Sequence, residues 1–204
     1  MSVRRPADDS IQPKDFAFTK ENLKKANEHI AKYPKGRQQS AVLPLLYLAQ
    51  AQNDGWIPTA AMNLIAEMLG MQYIRVYEVA SFYSMFNLKP VGKYHVQICG
   101  TTPCWLRGSD EIKQACSKKL GIELGETTKD GLFTMTEVEC MGACANAPMV
   151  QINDDYFEDL TPENVEKLLD DLAKGKKVRR GSQIGRSCSV PVGERTTLKE
   201  TKNA

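Results

Sequence analysis

The sequence predicts an α+β protein in which a helical N-terminal part precedes a small two-layer α/β domain. As far as about residue 88, apolar residues recur at helical spacing. Proline and glycine then interrupt the pattern within 88–92 (LKPVG), and short segments of alternating apolar residues follow. Their order, strand, helix, two strands with a short further strand, then helix, is typical of two packed layers.

Four helices are predicted in the N-terminal part. Thr19 is a suitable N-cap for the first, and Pro44 either kinks the second or lies near its start. Gly70 ends the third as a C-terminal cap. The aromatic residues of the fourth are interpreted as core packing between helices. The four helices are expected at about 19–33, 37–53, 58–69 and 74–86.

The second part is predicted to contain four strands and two helices. A loop, TTPCWLRG, is expected after the first strand, and Ser109 should cap the helix that follows it. Thr161-Pro162 opens the last helix. The strands are expected at 94–99 (YHVQIC), 132–138 (LFTMTEV), 149–152 (MVQI) and 156–157.

From Lys174 the chain becomes polar and basic without periodicity. It is either a solvated tail or an arm that lies on a partner chain. An arm would use four apolar anchors, Ile184, Val190, Val192 and Leu198. The predicted divisions are an N-terminal arm at 1–18, a helical bundle at 19–88, the α/β domain at 89–175 and an extended tail at 176–204.

Composition excludes several classes of protein. With 27 basic and 25 acidic residues the formal net charge is +2, which gives no support for nucleic-acid binding. The most apolar stretch, 41–49, contains Pro44 and is too short to span a membrane, so no membrane insertion is expected. No apolar segment follows the N-terminal arginines, so a secretory signal is not expected. Asp8 and Asp9 argue against an intact mitochondrial presequence.

Four of the six cysteines form two pairs with the spacing of metal ligands. Cys99 and Cys104 enclose four residues, and Cys140 and Cys144 enclose three. Each pair is placed directly after a predicted strand, so neighbouring strands would bring both pairs to one edge of the sheet. Glycine-containing segments beside the cysteines can turn backbone N–H groups toward the sulfur atoms.

The spacing favours an iron–sulfur cluster but leaves two alternatives open. A gap of four residues occurs in [2Fe-2S] sites, and a two-iron cluster fits wider loops than one zinc ion does. Structural zinc and dithiol or disulfide chemistry remain alternatives. Neither His29 nor His95 follows a cysteine as a Rieske centre requires. Cys116 is expected in the core and Cys188 alone in the tail, so neither is assigned to the site.

Two segments identify a family. ICGTTPCWLRGSDEI at 98–112 and VECMGACANAPMVQIN at 138–153 resemble the cluster-binding segments of the thioredoxin-like [2Fe-2S] subunit of respiratory complex I. This family comprises the E subunit of bacterial NADH-quinone oxidoreductase and mitochondrial flavoprotein 2. The resemblance extends through GRQQSAVLPLLYLAQAQNDGWIP, YEVASFYSMFNLKPVGKYHV and the tail motif GSQIG, and it spans roughly residues 16–198.

The resemblance implies a fold, a cofactor and a set of ligands. The fold is an N-terminal helical bundle followed by a thioredoxin-like α/β ferredoxin domain. The cofactor is one [2Fe-2S] cluster, whose ligands fall on Cys99, Cys104, Cys140 and Cys144. The implied role is to exchange one electron with the FMN of an adjacent flavoprotein, which also binds NADH. No NADH or quinone site is expected on this chain.

The resemblance also implies partners and a location. The partners are the FMN- and NADH-binding flavoprotein and, through the tail, the large iron–sulfur subunit. The location is a peripheral arm on the cytoplasmic side of a bacterial inner membrane, or on the matrix side in mitochondria. Two alternatives remain: the equivalent diaphorase component of a soluble NAD-dependent hydrogenase or formate dehydrogenase, and a zinc-stabilised structural module.

Overall fold

A computed structural model describes residues 4–193 of the 204-residue chain. The chain divides into two compact units, with the division between Val91 and Gly92. The first unit is helical and the second contains a single five-stranded sheet. The predicted α+β class is confirmed.

The first unit consists of four α-helices with short 3₁₀ turns between or before them. The Thr19 side chain accepts a hydrogen bond from the backbone of Asn22 and so caps the first helix, as predicted. Pro44 is the third residue of the second helix, where its missing N–H costs no helical hydrogen bond. Gly70 ends the third helix in the left-handed conformation, with φ +59°. The helices are α1 (Lys20–Ala31), α2 (Val42–Gln52), α3 (Thr59–Leu69) and α4 (Tyr73–Phe82), and the 3₁₀ turns are Asp9–Ile11 and Gln38–Ala41.

These helices share one apolar core. Because each of the three later helices buries an apolar face, the unit has a hydrophobic centre independent of the sheet. The fourth helix ends four residues earlier than predicted, since Tyr83 turns to extended backbone. The aromatic residues of the predicted segment 74–86 are not all core: Phe86, which lies beyond α4, is buried, but Phe82 is 79% exposed. The core includes Leu45, Leu46, Ile57, Met62, Ile65, Val76 and Phe86.

The second unit is built on a mixed sheet. The two longest strands are parallel neighbours, and the third strand runs antiparallel to the first. The fourth strand pairs antiparallel with the third, and a fifth pairs parallel with the fourth. The strands are β1 (Tyr94–Cys99), β2 (Phe133–Val138), β3 (Val150–Ile152), β4 (Asp155–Glu158) and β5 (Gly181–Ser182), in the order β2-β1-β3-β4-β5.

Three helices complete this unit: α5 (Thr102–Leu106), α6 (Ser109–Leu120) and α7 (Pro162–Ala173). Helices α6 and α7 pack against each other and share a core with the strands, as expected of a two-layer domain. Thr161 caps α7, and its hydroxyl and backbone N–H exchange hydrogen bonds with Asn164. The core includes Val96, Ile98, Ile112, Met135, Phe157, Val165 and Leu169.

The structure corrects two local predictions. Part of the expected loop after β1 is the short helix α5, which has proline near its first turn, where a missing N–H is tolerated. Ser109 is not the N-cap of α6, because Gly108 occupies the cap position with φ +96°. The hydroxyl of Ser109 is instead buried without a hydrogen-bond partner among the described residues.

The described part of the tail, 176–193, folds back onto its own unit. Gly181 and Ser182 pair with Phe157 and Glu158 as the fifth strand. Of the four apolar anchors proposed for an arm, Ile184, Val190 and Val192 are exposed. Leu198 lies outside the described residues.

Among the described residues, none of the helices combines the length and the apolar character that crossing a bilayer requires.

Candidate metal centre

The two cysteine pairs lie at one edge of the sheet because β1 and β2 are parallel neighbours. Cys99 is the last residue of β1 and pairs with Val138, the last residue of β2. Cys140 lies two residues beyond that pair. Parallel strands end at the same edge, so the segments that follow them start side by side.

The first pair is buried. Cys99 and Cys104 are each 1% exposed, and the thiol of Cys104 hydrogen-bonds to that of Cys99. Burial raises the pKa of Cys104 to about 12, and its contact with Cys99 acts in the same direction. Burial also opposes ionisation of Cys99, but hydrogen bonds from Thr101 and from the backbone of Met141 hold its pKa below the ordinary value. Cys99 is therefore the buried thiol with the stronger tendency to form a thiolate.

The second pair is exposed. The sulfur atoms of Cys140 and Cys144 lie 3.4 Å apart, and Cys144 begins a 3₁₀ turn at Cys144–Asn146. The backbone N–H of Gly142 donates to Cys140 and lowers its pKa, whereas hydrogen bonding to Cys140 raises the pKa of Cys144. Gly142 has φ +84°, a conformation that glycine adopts without steric cost.

The hydroxyl of Thr101 connects the two pairs. Its oxygen lies 3.3 Å from the sulfur of Cys99, and the same side chain also lowers the pKa of Cys140. The charges of Cys99 and Cys104 both interact with Cys144. All four candidate thiols thus lie within one electrostatic neighbourhood.

This donor set fits a two-iron cluster. Within residues 4–193, no group of three or more histidine, cysteine, aspartate or glutamate side chains is placed to hold a metal ion in common. The four thiols form two pairs, and a [2Fe-2S] cluster takes four cysteine thiolates distributed over two irons. Hydrogen bonding by the backbone of Thr101, Met141, Gly142 and Met149 acts to lower the pKa of the thiols beside them, which favours the thiolate form that a cluster needs.

An apolar cluster surrounds the buried pair. Cys99 and Cys104 pack with Ala147 and Met149, and Tyr156 packs against this group. The hydroxyl of Tyr156 donates to the carbonyl of Met141 over 2.9 Å, which ties the second cysteine segment to β4. Because these surroundings are apolar, electrostatic interactions between the cysteine sulfur atoms and backbone N–H groups are stronger than they would be in water.

The outer surface beside the first pair is apolar and flanked by charges. Trp105 and Leu106 follow Cys104 directly and are 57% and 70% exposed. The Trp105 indole N–H donates to Asp110 over 3.1 Å, and Lys113 forms ion pairs with Asp110 and Glu137. The segment next to the ligand candidates is therefore ordered, although its apolar side chains face solvent.

The cysteines left out of the site occupy different surroundings. Cys116 is fully buried in the core beside Ile112, as predicted, and burial raises the pKa of its thiol to about 12. Cys188 is exposed in the tail. His95 is a buried strand residue whose ring lies 2.8 Å from the hydroxyl of Thr136, as expected of a histidine that is not a ligand. The six cysteines are all free thiols.

Two contributors to this site were not anticipated from the sequence. Thr101 could have been noticed, since a hydroxyl two residues after a ligand cysteine can reach its sulfur. No local sequence pattern indicates a role for Arg186, because it donates to the carbonyl of Ala145, which is 41 residues away in the chain.

Comparison with known proteins agrees with this geometry. The family model described as thioredoxin-like [2Fe-2S] ferredoxin matches residues 26–173. The chain belongs to the thioredoxin-like [2Fe-2S] ferredoxin family. The family and its [2Fe-2S] cofactor, both expected from the sequence, are confirmed.

Within this family the chain is similar to proteins named as the E subunit of NADH-quinone oxidoreductase. It is 61% identical to that of Rickettsia felis, over 80% of this chain and 98% of the relative. It is 54% identical to the first E subunit of Rhizobium meliloti, over 97% of this chain and 73% of the relative.

A solved NAD⁺-reducing [NiFe]-hydrogenase in the H₂-reduced state has a similar fold, with a TM-score of 0.58. The match is 19% identical and covers 66% of this chain but only 23% of the hydrogenase chain. This likeness concerns the fold alone.

Proposed function

We propose that this chain is the one-electron carrier, the E subunit, of an NADH-quinone oxidoreductase. It binds one [2Fe-2S] cluster through Cys99, Cys104, Cys140 and Cys144 and exchanges one electron with the FMN of an adjacent flavoprotein. The observation that supports the proposal is that the two thiol pairs follow parallel neighbouring strands, which end at the same edge of the sheet. Identity of 54–61% to proteins with that name supports the respiratory enzyme over a soluble dehydrogenase.

The residues of this chain perform three tasks in that role. Strand β1 fixes Cys99, and the hydrogen-bonded core behind it limits rearrangement of the ligands when the charge changes. Backbone N–H groups stabilise the negative sulfur atoms, and the apolar packing around Cys104 excludes water from one side. When bound, the cluster supplies reversible one-electron transfer. NADH and FMN bind to the partner flavoprotein.

The apolar surface beside the cluster site is proposed to contact the flavoprotein. Trp105 and Leu106 are exposed directly after the buried ligand Cys104. Of residues 145–149, which follow the exposed ligand Cys144, only Ala145 is exposed, so the proposed contact surface consists of Trp105 and Leu106. A one-electron carrier needs a short path to its donor, so the face nearest the ligands is the one to dock. Aromatic residues at such positions commonly dominate binding energy.

The tail is proposed to contact a second partner, and the chain is proposed to lie in a peripheral arm at the membrane. Exposed Ile184 and Val192 provide apolar surface by which the tail would contact the large iron–sulfur subunit. The bacterial relatives support a peripheral position on the cytoplasmic side of the inner membrane.

The cluster is tested on the purified full-length chain. It should contain about two iron and two acid-labile sulfide per molecule and give an EPR signal only after reduction. The isolated chain should not oxidise NADH. Stoichiometric zinc without iron, or NADH oxidation by the chain alone, would contradict the proposal.

The ligand assignment is tested by a matched pair of cysteine variants. Cys144→Ala should abolish retention of iron and sulfide, because one iron loses a ligand. Cys188→Ala removes another exposed thiol, from the tail, and should retain the full complement of iron and sulfide. Iron loss in both variants, or in neither, would show that the assignment of Cys144 is wrong.

A further inference from the structure

The tail reaches back to the segment that carries the exposed cysteine pair. β5 pairs with β4 through Phe157–Gly181 and Glu158–Ser182, which places the residues after Ser182 beside the end of β4. The N–H of Asp159, the residue after β4, donates to the carbonyl of Asn146 over 2.8 Å. The end of β4 is thus in direct contact with the 3₁₀ turn that begins at Cys144.

Arg186 joins the tail to this turn through three partners. Its Nε and one terminal nitrogen bind the two carboxylate oxygens of Asp159 at 3.0 and 2.5 Å. The same terminal nitrogen donates to the carbonyl of Ala145 over 2.8 Å, and the other donates to the carbonyl of Val190. The side chains of Arg186 and Asp159 are only 11% and 5% exposed, so this is a buried pair.

The pair is ionised and geometrically specific. Burial opposes ionisation of Asp159, but hydrogen bonds from Arg186 and Ser182 hold the pKa of its carboxyl below the ordinary value. A guanidinium can present several N–H groups in a fixed fork, which a lysine ammonium cannot reproduce. Arg186 is therefore suited to hold a carboxylate and a backbone carbonyl at the same time.

Asn146 makes a second connection between the turn and the tail. Its side-chain amide donates to the carbonyl of Cys188 over 2.8 Å and to the carboxylate of Glu158 over 2.6 Å. Asn146 is 4% exposed, so this contact is also shielded from water. Two consecutive residues after Cys144 are thus fixed by tail residues.

We infer that Arg186 is a positioning residue, which holds the Cys144 turn in the conformation that keeps the exposed cysteine pair on the cluster. This inference rests on the proposed function, because it assigns a role toward the same cluster. The buried pair, Cys99 and Cys104, is fixed by strand β1 and by core packing. The exposed pair, Cys140 and Cys144, lies in a surface loop that the core does not hold in place. Residues 181–190 of the tail provide the contacts that hold it.

The inference is tested with the full-length, cluster-loaded chain. Arg186→Gln should release iron to a chelator about tenfold faster than wild type, the lower end of the range for loss of a group that orients a metal ligand. Arg186→Lys keeps a positive charge beside Asp159 but lacks the fork. It should fold with a thermal midpoint closer to that of wild type than Arg186→Gln has, and still release iron faster than wild type.

Arg180→Gln is the matched control. Arg180 also lies in the tail and pairs with Asp155, but its ion pair is exposed and does not contact the cysteine turn. It should release iron at the wild-type rate. The EPR spectrum of the reduced cluster should change in the Arg186 variants and not in Arg180→Gln.

The outcomes separate a positioning role from a structural one. If Arg186→Gln does not fold, the result for Arg186→Lys decides. Wild-type iron release and an unchanged spectrum in a folded Arg186 variant would overturn the inference. A wild-type chain without iron and sulfide would instead contradict the proposed function.

Discussion

At the residue scale, differences in burial and in nearby hydrogen-bond donors give the cysteines of this chain three different properties. Cys99 is buried among N–H and hydroxyl donors, which favour a thiolate. Cys116 is buried among apolar side chains, which favour the neutral thiol and leave it as a small core residue. Cys188 faces solvent at a position with φ +50°. Sequence spacing separates the ligand candidates from the others, but only the surroundings explain why they differ.

His95 provides a prediction at this scale. Burial lowers the pKa of its imidazole to about 4, from 6.5 in the unfolded chain. Between these values the unfolded chain binds a proton that the folded chain does not. The free energy of unfolding should therefore fall by about 2 kcal/mol from pH 7 to pH 5 on account of this residue. Urea unfolding at the two pH values measures it.

His95→Gln removes the titrating group and should lose that part of the pH dependence. His29→Gln replaces the other histidine, which lies partly exposed in α1, and is the matched control for the substitution itself. An equal decline of stability in wild type and His95→Gln would contradict the assignment to His95.

At the element scale, the N-terminus of α7 depends on a reciprocal cap. The Thr161 hydroxyl accepts from the N–H of Asn164, and the Asn164 side chain accepts from the N–H of Thr161. Thr161→Ala removes one of these bonds and should lower the free energy of unfolding by about 1 kcal/mol. Chemical denaturation measures this change. Thr161→Ser keeps the hydroxyl and should remain close to wild type; an equal loss in both would show that the methyl group, not the cap, is responsible.

The elements that the sequence predicts are those with local causes. The caps at Thr19, Gly70 and Thr161 depend on residues within one turn, and the alternation of β1 is legible in six residues. The two missed elements lack such causes. Helix α5 has five residues, too few for a period, and β5 has two residues that pair only because β4 lies beside them.

The cysteine site also combines features with local causes, which the sequence predicts, and features with long-range causes, which it does not. The two cysteine pairs are visible in the sequence because metal ligands from one loop need a short spacing. Their meeting is foreseeable once β1 and β2 are taken as neighbours. The contacts of Arg186 with Asp159 and Ala145 are long-range and follow from the return of the tail, which no local pattern in a polar, basic segment indicates.

At the scale of the whole molecule, charge does not select a partner. The formal net charge of +2 over 204 residues produces little long-range steering. Under the proposed function, recognition of the flavoprotein would therefore depend on local apolar contacts, and Trp105 and Leu106 are exposed next to Cys104. A binding surface at this position would combine affinity with a short electron path.

Trp105→Ala should therefore weaken binding of the cluster-loaded chain to its FMN-containing partner. Loss of a central aromatic contact costs about 2 kcal/mol, or roughly a thirtyfold rise in Kd. Calorimetric titration of the two purified proteins measures it, with iron content confirming that the cluster is retained. Phe82→Ala is the control, since Phe82 is also an exposed aromatic residue but belongs to the helical unit. If Phe82→Ala weakens binding and Trp105→Ala does not, the docking face lies on the helical unit and the proposed contact through Trp105 is wrong.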